Sequence, residues 1–327
     1  MKAVQVTRHG EPGDVLDLVE TAEPAPGPGQ LAVRVRAAAL NFPDVMLCRG
    51  QYQIRPPLPF TPGVELCGEV TEIGPGVTGF APGDRIIGNP ALPHGALAEV
   101  AILDAADAFP APAVLADDEA AALHIAYQTG WFALHRRARL QAGETLLVHA
   151  AAGGVGSAAV QLGKAAGATV IAVVGGAAKA EVAAKLGADL VIDRREQDFV
   201  AVVKEATGGR GADVIYDPVG GDAYAGSARC VAFEGRILIV GFAGGTVPAP
   251  PLNHALIKNY SIVGVHWGLY RQHDPASIIE AHRQLTALAD AGAIHPLVGG
   301  RLELAEAAAG LTRLGAGETV GRLVVVP

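Results

Sequence analysis

The sequence predicts an α/β protein of two domains, a partly open β-barrel and a doubly wound parallel sheet. Three observations carry this. The 327 residues exceed one typical domain. The N-terminal third is β-rich, its short strand patterns separated by Pro/Gly turn clusters. From Thr145 a regular alternation of strand and helix patterns begins, which implies right-handed crossovers between parallel strands.

In order along the chain, strand patterns fall at 3–7, 16–19, 30–37, 64–73 and 84–87. Turn clusters at 24–29, 74–79 and 82–84 separate them, a spacing that fits a partly open barrel. Over 117–140 the pattern is helical, with Asp117 or Asp118 as N-cap and a second helix ending near Arg139. The alternation then places strands at 145–149, 169–174, 190–193, 213–217 and 236–241. Its helices lie near 155–166, 176–186, 197–206 and 221–232. After the Pro-rich 248–251 come a strand at 261–266, a helix near 275–291, a strand at 294–298, a helix at 303–315 and a strand at 322–326. That last strand needs partners, and pairing it with the barrel makes the barrel domain discontinuous.

Composition narrows the classes. Apolar residues make up 50% and aromatics 5%, which supports a core of Ala, Val and Leu. The 42 glycines and 22 prolines are dispersed, as in a globular chain with many turns. A net charge of −8 with no basic run argues against nucleic acid or anionic membrane as partners. Cys48, Cys67 and Cys230 form no C-x-x-C pair, as expected in a reducing compartment. The N-terminus enters a strand pattern with no signal-peptide core, so a cytoplasmic location is expected. The stretch 145–163 holds no charged residue, but its central glycines fit a strand–turn–helix better than a membrane span.

That stretch is the chemical centre of the reading. A buried strand (145–149) runs into Ala150-Ala-Ala-Gly153-Gly154-Val155-Gly156, and a helix opens at the turn. Backbone N–H groups and the positive end of the helix dipole suit a pyrophosphate there. Side-chain-free positions let the phosphate approach. Tight packing alone also explains such a turn. Its place after the first strand of a βα alternation makes Ala152, Gly153, Gly154, Val155 and Gly156 a candidate dinucleotide cradle. An NAD-preferring unit carries an acidic residue at the tip of the second strand. Here that strand ends Val173-Val174-Gly175-Gly176, without a carboxylate, and Lys179 and Arg194 follow. Gly175, Lys179 and Arg194 therefore favour NADPH, whose 2′-phosphate cations stabilise. The cations also read as solvated surface charges, and Arg195 is assigned to that class. Gly241, Phe242 and Ala243 follow a later strand, where loops meet the nicotinamide at the sheet's carboxyl edge. His124 and His149 read as hydrogen-bonded core residues.

Several motifs stand in order along the chain: Asn41-Phe-Pro-Asp44, Pro62-Gly-Val-Glu65-Leu-Cys-Gly-Glu-Val, and Gly74-Pro-Gly-Val with Pro82-Gly-Asp-Arg85. They continue with the 149–156 turn, Tyr216-Asp-Pro-Val-Gly-Gly221 and Val240-Gly-Phe-Ala-Gly244. With them the chain resembles, over essentially its whole length, the zinc-independent quinone oxidoreductases of the medium-chain dehydrogenase/reductase superfamily. The resemblance implies a GroES-like catalytic domain from 1–122 and 262–327, a Rossmann NADPH-binding domain over 123–261, and an active site in the cleft. It also implies a homodimer built by edge-to-edge strand pairing, for which 261–266 is the assigned stretch. Zinc-dependent relatives place Cys where Asn41 stands and His where Val64 stands, and carry a four-Cys lobe that this chain lacks. No metal is expected.

Without a Lewis acid, acceptors already activated for hydride are favoured, such as quinones and α,β-unsaturated carbonyls. On the resemblance, Asn41 lines the cleft and donates to a carbonyl. Asp44 holds the loop or a ribose hydroxyl, and Thr129 contacts the nicotinamide side or only caps a helix. Tyr52 is a candidate proton donor or stacking ring, or else a half-buried loop tyrosine. Met46 stands where a second aromatic is sometimes found, and Arg194 where some quinone reductases carry Tyr. The expected activity is NADPH-dependent reduction of a quinone. The alternatives are C=C reduction of enones or enoyl thioesters, and non-catalytic NADPH binding.

Overall fold

The strands form a barrel and an open sheet, in two compact units. The computed structural model describes residues 1–327. The first unit comprises residues 1–124 and 296–327, the second 125–295.

In the first unit, β1 (Lys2–Val6) and β2 (Leu16–Glu20) form an antiparallel pair. Then β3 (Gln30–Ala39), β4 (Leu66–Ile73), β5 (Arg85–Pro90) and β6 (Val100–Pro110) pair in sequence, each antiparallel to the last. β6 returns to pair with β3 over Gln30–Arg34 and closes the barrel. Inward side chains such as Leu31, Val33, Leu66, Val70, Ile86 and Leu103 are fully buried together. Expectation omitted β6. Its sequence, VAILDAADAFP, carries Ala and Asp where β-branched residues would have marked a strand.

The second unit is a six-stranded parallel sheet. Its strands are β7 (Thr145–His149), β8 (Thr169–Val174), β9 (Leu190–Asp193), β10 (Ala212–Asp217), β11 (Val231–Ile239) and β12 (Ser261–Gly264). Their spatial order is β12-β11-β10-β7-β8-β9. The chain builds outward from β7 to β9, then crosses back to β10 on the other side of β7. The carboxyl ends of β7 and β10 thus flank a topological switch point, where sheets of this kind bind ligands. The helix Gly154–Ala165 lies along the sheet with Ala158, Ala159, Val160 and Leu162 fully buried. Gly163 faces Leu146 and Val170 across a gap too narrow for a Cβ.

The chain then re-enters the first unit. β13 (Val298–Glu303) pairs parallel with β14 (Arg322–Val326), and β14 pairs antiparallel with the end of β3 at Ala38 and Ala39. The first unit is therefore discontinuous, as the unpartnered last strand implied.

The expected boundary at 261/262 is corrected: residues 262–295 belong to the second unit. β12 extends its sheet, with Ser261 opposite Arg236. Helix Pro275–Asp290 buries Ile278, Ala281 and Leu285. Gln128 Nε2 donates to the Ile278 carbonyl at 3.2 Å, and Trp131 Nε1 to Gln284 Oε1 at 2.9 Å.

Smaller differences have local causes. Ala116, not Asp117 or Asp118, is the N-cap, and its N–H is taken by Glu119 Oε2 at 3.0 Å. The helical stretch ends in a π-helical turn, Phe132–Arg137. The strand expected at 294–298 lies at Val298–Glu303, and helix Leu252–Lys258 was not foreseen. No helix is long and apolar enough to cross a membrane.

Candidate active site

β7 is buried along its length and delivers the chain into the glycine turn. Ala150 adopts a left-handed conformation, φ 49°, uncommon for a residue with a Cβ. Its carbonyl accepts the Gly153 N–H at 2.9 Å. Gly153 is the helix N-cap, and the first helical bond runs from Ser157 N–H to Gly153 O at 2.8 Å. The amides of Gly154, Val155 and Gly156 thus have no partner inside the helix. A Cβ on Gly156 would collide with the Ala150 carbonyl oxygen, and one on Gly153 would stand 3.2 Å from the same atom. The turn stays tight only without side chains there. Ala151 N–H donates to Val173 O at 3.1 Å and ties the turn to β8. Ala152, Gly153, Gly154, Val155 and Gly156 therefore form one contiguous turn at the carboxyl edge.

Next to it, Gly175 and Gly176 follow β8, the latter at φ 101°. A Cβ on Gly175 would stand 3.4 Å from Arg194 Nε, and one on Gly176 3.0 Å from Arg195 Nη1. Lys179 belongs to the same corner. Burial, then Arg195 and Arg194, hold its ammonium below the usual lysine value. Three cations, Lys179, Arg194 and Arg195, share this corner, and both guanidinium groups are exposed. Asp193 Oδ1 accepts the N–H of Gly176 at 2.9 Å and of Arg195 at 3.0 Å. Those two bonds hold the Asp193 carboxyl below the usual carboxylate range. A carboxylate does stand at these strand tips, supplied by β9 and turned onto the backbone.

The loop after β11 shares the same edge. Ala243 N–H donates to Pro218 O and Gly244 N–H to Val219 O, both at 3.0 Å. Asp217 Oδ1 accepts the N–H groups of Val219 and Gly220 at 2.8 and 2.9 Å. Gly241, Phe242 and Ala243 are thus fixed to the loop after β10, with Phe242 38% exposed. Thr129 lies inside helix His124–Trp131, not at its start, and Oγ1 donates to Ile125 O at 2.6 Å. That hydroxyl proton is committed to the helix. His149 is a core residue, 2.8 Å from Ser227 Oγ, and burial pushes its pKa down to about 4. His124 sits 3.0 Å from Asn89 Oδ1 and stacks on Phe109.

In the first unit the Asn41–Asp44 motif opens helix Phe42–Cys48. Asp44 is completely buried. Its Oδ2 accepts the Asn41 N–H and its Oδ1 the Gly63 N–H, each at 2.9 Å. It therefore joins two loops and presents nothing to a ribose. Burial raises its pKa to about 7 against the pull of those two bonds. Asn41 is 2% exposed, and both of its amide hydrogens are used. Nδ2 donates to Ala39 O at 3.0 Å and to Glu65 Oε2 at 2.9 Å. The expectation of a donor aimed at a substrate carbonyl is corrected: Asn41 faces Glu65. Arg322 closes the network through a buried ion pair with Glu65. Only the strand pairing of β14 brings position 322 here, so this partner could not be found from local sequence. Tyr52 is half-buried and packs against the barrel core.

Comparison with known proteins follows this division. Residues 27–113 match the alcohol dehydrogenase GroES-like domain, and residues 154–284 match the zinc-binding dehydrogenase family. The chain is 40% identical over 284 residues to the quinone oxidoreductase-like protein 2 homolog of Nematostella vectensis, covering 86% of this chain and 76% of that protein. The crystal structure of Escherichia coli quinone oxidoreductase complexed with NADPH is 32% identical over 100% of both chains, with a TM-score of 0.91. That of 2-haloacrylate reductase is 32% identical over 100% of this chain and 99% of the other, with a TM-score of 0.85. No group of three or more His, Cys, Asp or Glu side chains could hold a metal ion. Asn41 is an amide, Val64 has no donor, and Glu65 is committed to Arg322 and Asn41.

Proposed function

This chain belongs to the quinone oxidoreductase-like branch of the medium-chain dehydrogenase/reductase superfamily, and we propose that it is a zinc-independent, NADPH-dependent enzyme that reduces a quinone by hydride transfer. The observation that carries this reading is one sheet edge holding both a phosphate-ready glycine turn and three cations around Gly175–Gly176. The amides of Gly154 to Gly156 would bind the pyrophosphate. Lys179, Arg194 and Arg195 would bind the 2′-phosphate. A ribose hydroxyl gives those cations no charge to meet, so NADH would bind more weakly.

Bound NADPH would supply a hydride from its nicotinamide ring. The loop Gly241–Ala243 and Thr129 would hold that ring's position at the carboxyl edge. Hydride addition puts negative charge on the acceptor oxygen, which then takes a proton. Tyr52 is the side chain proposed to supply that proton, as a phenol can, whereas Asn41 donates and Asp44 accepts hydrogen bonds within the fold. These two shape the loop that carries the acceptor and are positioning residues. A quinone is suited to this site because it accepts hydride without a metal to polarise it.

A second copy of the chain is the proposed partner. β12 is an edge strand with Ile262 37% exposed, and the preceding helix leaves Leu252, Leu256 and Ile257 at least 75% exposed. Such an edge with an apolar flank is stabilised by pairing. A Leu256→Asp, Ile262→Asp chain is expected to run as a monomer in light scattering where the wild type runs as a dimer. The three buried free thiols, each raised in pKa to between about 11 and about 12 by burial, suit a reducing cytoplasm.

The similarity to 2-haloacrylate reductase favours a second reading, C=C reduction of a conjugated carbonyl or enoyl thioester. NADPH consumption followed in parallel with a quinone, an enone and a crotonyl thioester decides between them. Turnover with the quinone supports the first reading, turnover with the thioester alone removes it, and binding without turnover points to a non-catalytic protein.

A further inference from the structure

We propose that Asp193 is a positioning residue for nucleotide choice, joining the Gly175–Gly176 turn to the Arg194–Arg195 turn so that Lys179, Arg194 and Arg195 converge on one phosphate. The inference rests on the reading of this corner as the 2′-phosphate site. A single atom, Oδ1, accepts from Gly176 N–H at 2.9 Å and from Arg195 N–H at 3.0 Å. The two amides belong to turns that follow different strands, β8 and β9, so Oδ1 is a joint between them. Asp193 is itself fixed from behind, since its backbone carbonyl accepts Glu196 N–H at 3.0 Å and Gln197 N–H at 2.9 Å.

The need for a joint follows from the charges. Two guanidinium groups and an ammonium repel one another, and Arg194 and Arg195 are exposed and free to swing into water. Left to themselves, the two turns would let the cations separate. A phosphate would then have to gather them on binding, at a cost in side-chain entropy. Gly176 contributes because a Cβ there would stand 3.0 Å from Arg195 Nη1, where the guanidinium lies. The low pKa of Asp193 keeps the joint ionised over the working range.

The sign of its charge makes the idea testable. A carboxylate near a phosphate repels it, so if Asp193 acted only through its charge, removing it would tighten phosphate binding. As a joint, its removal loosens binding. Asp193→Asn keeps an acceptor oxygen and drops the charge, whereas Asp193→Ala drops both. Calorimetric titration with adenosine 2′,5′-bisphosphate and with 5′-AMP separates the cases. The wild type is expected to bind the bisphosphate more tightly. Asp193→Ala should cut that preference about tenfold, the scale of one charge-assisted contact. Asp193→Asn should keep it within about twofold, and 5′-AMP affinity should be unchanged in both. Asp193→Ser serves as a second deletion should alanine impair folding.

No preference in the wild type would overturn the reading of the corner, and this inference with it. A preference that survives in both Asp193→Ala and Asp193→Ser would overturn the joint alone and leave the corner's reading standing. Equal losses in Asp193→Asn and Asp193→Ala, or a parallel fall in 5′-AMP affinity, would also overturn it.

Discussion

The glycine turn at 150–156 and the buried network at Asn41–Asp44 both follow a strand and open a helix, yet they end in opposite states. The turn leaves the amides of Gly154 to Gly156 without intrahelical partners at a partly exposed edge. In the network, both Asn41 amide hydrogens and both Asp44 oxygens are engaged, and Arg322 answers Glu65. A region built to receive a ligand keeps polar groups in reserve and excludes side chains. A region built to hold a shape satisfies its polar groups internally. Asn41, with both amide hydrogens engaged, belongs to the second kind.

The sharpest way to break the contrast is to open the network. Removing one partner of a buried ion pair leaves an uncompensated charge. Arg322→Met is therefore expected to cost about 3–5 kcal/mol in stability, read from urea denaturation. A loss below about 1 kcal/mol, the range of exposed pairs, would mean that Glu65 is not held as a buried anion.

Gly156→Ala tests the other side. The added methyl meets the Ala150 carbonyl, so the turn must widen, at about 1–3 kcal/mol. On the proposed reading of the turn as the pyrophosphate cradle, NADPH affinity should fall by at least about tenfold in a fluorescence titration. Unchanged affinity with lower stability would make the turn structural and erase the contrast. Lys179→Ala follows with a smaller and more selective effect. The Michaelis constant for NADPH should rise about tenfold, the scale of one charged contact, while that for NADH stays within about twofold. Equal changes for both nucleotides would remove Lys179 from the 2′-phosphate corner.

How much of this was legible in the sequence follows from the range of each interaction. The strands 145–149, 169–174, 190–193 and 322–326 fall where periodicity placed them, because their burial pattern is local. The glycine turn and its helix were legible for the same reason, being contiguous. The place of Arg195 beside Gly176 was not legible, because Asp193 and Gly176 meet only when β8 and β9 lie side by side. Asn41 was misread as a substrate donor because Glu65 lies 24 residues away and Arg322 is 257 residues from Glu65. The boundary at 261 failed since β12 and helix Pro275–Asp290 are held by sheet pairing and by Gln128 and Trp131, none adjacent in sequence. β6 escaped because Ala and Asp fill it and hide its alternation.

The smallest effect is the most specific to the network, the pH dependence of Asp44. Burial raises its folded pKa from the model-compound value of 3.8 to about 7. A carboxyl with a raised folded pKa binds its proton more tightly in the folded chain. Its contribution to stability is fully present below the unfolded value and is lost as pH rises through about 7. Asp44→Asn removes the titration. It also leaves one of the two amides, Asn41 N–H or Gly63 N–H, facing an NH₂ group, at about 1–3 kcal/mol. The variant should therefore be less stable than wild type near pH 5. The gap should narrow towards pH 8, as the wild type alone comes to hold a buried anion. Thermal midpoints of both proteins measured across that range test this. A gap that stays constant would mean Asp44 is ionised throughout, with the two backbone bonds and Arg322 outweighing its burial.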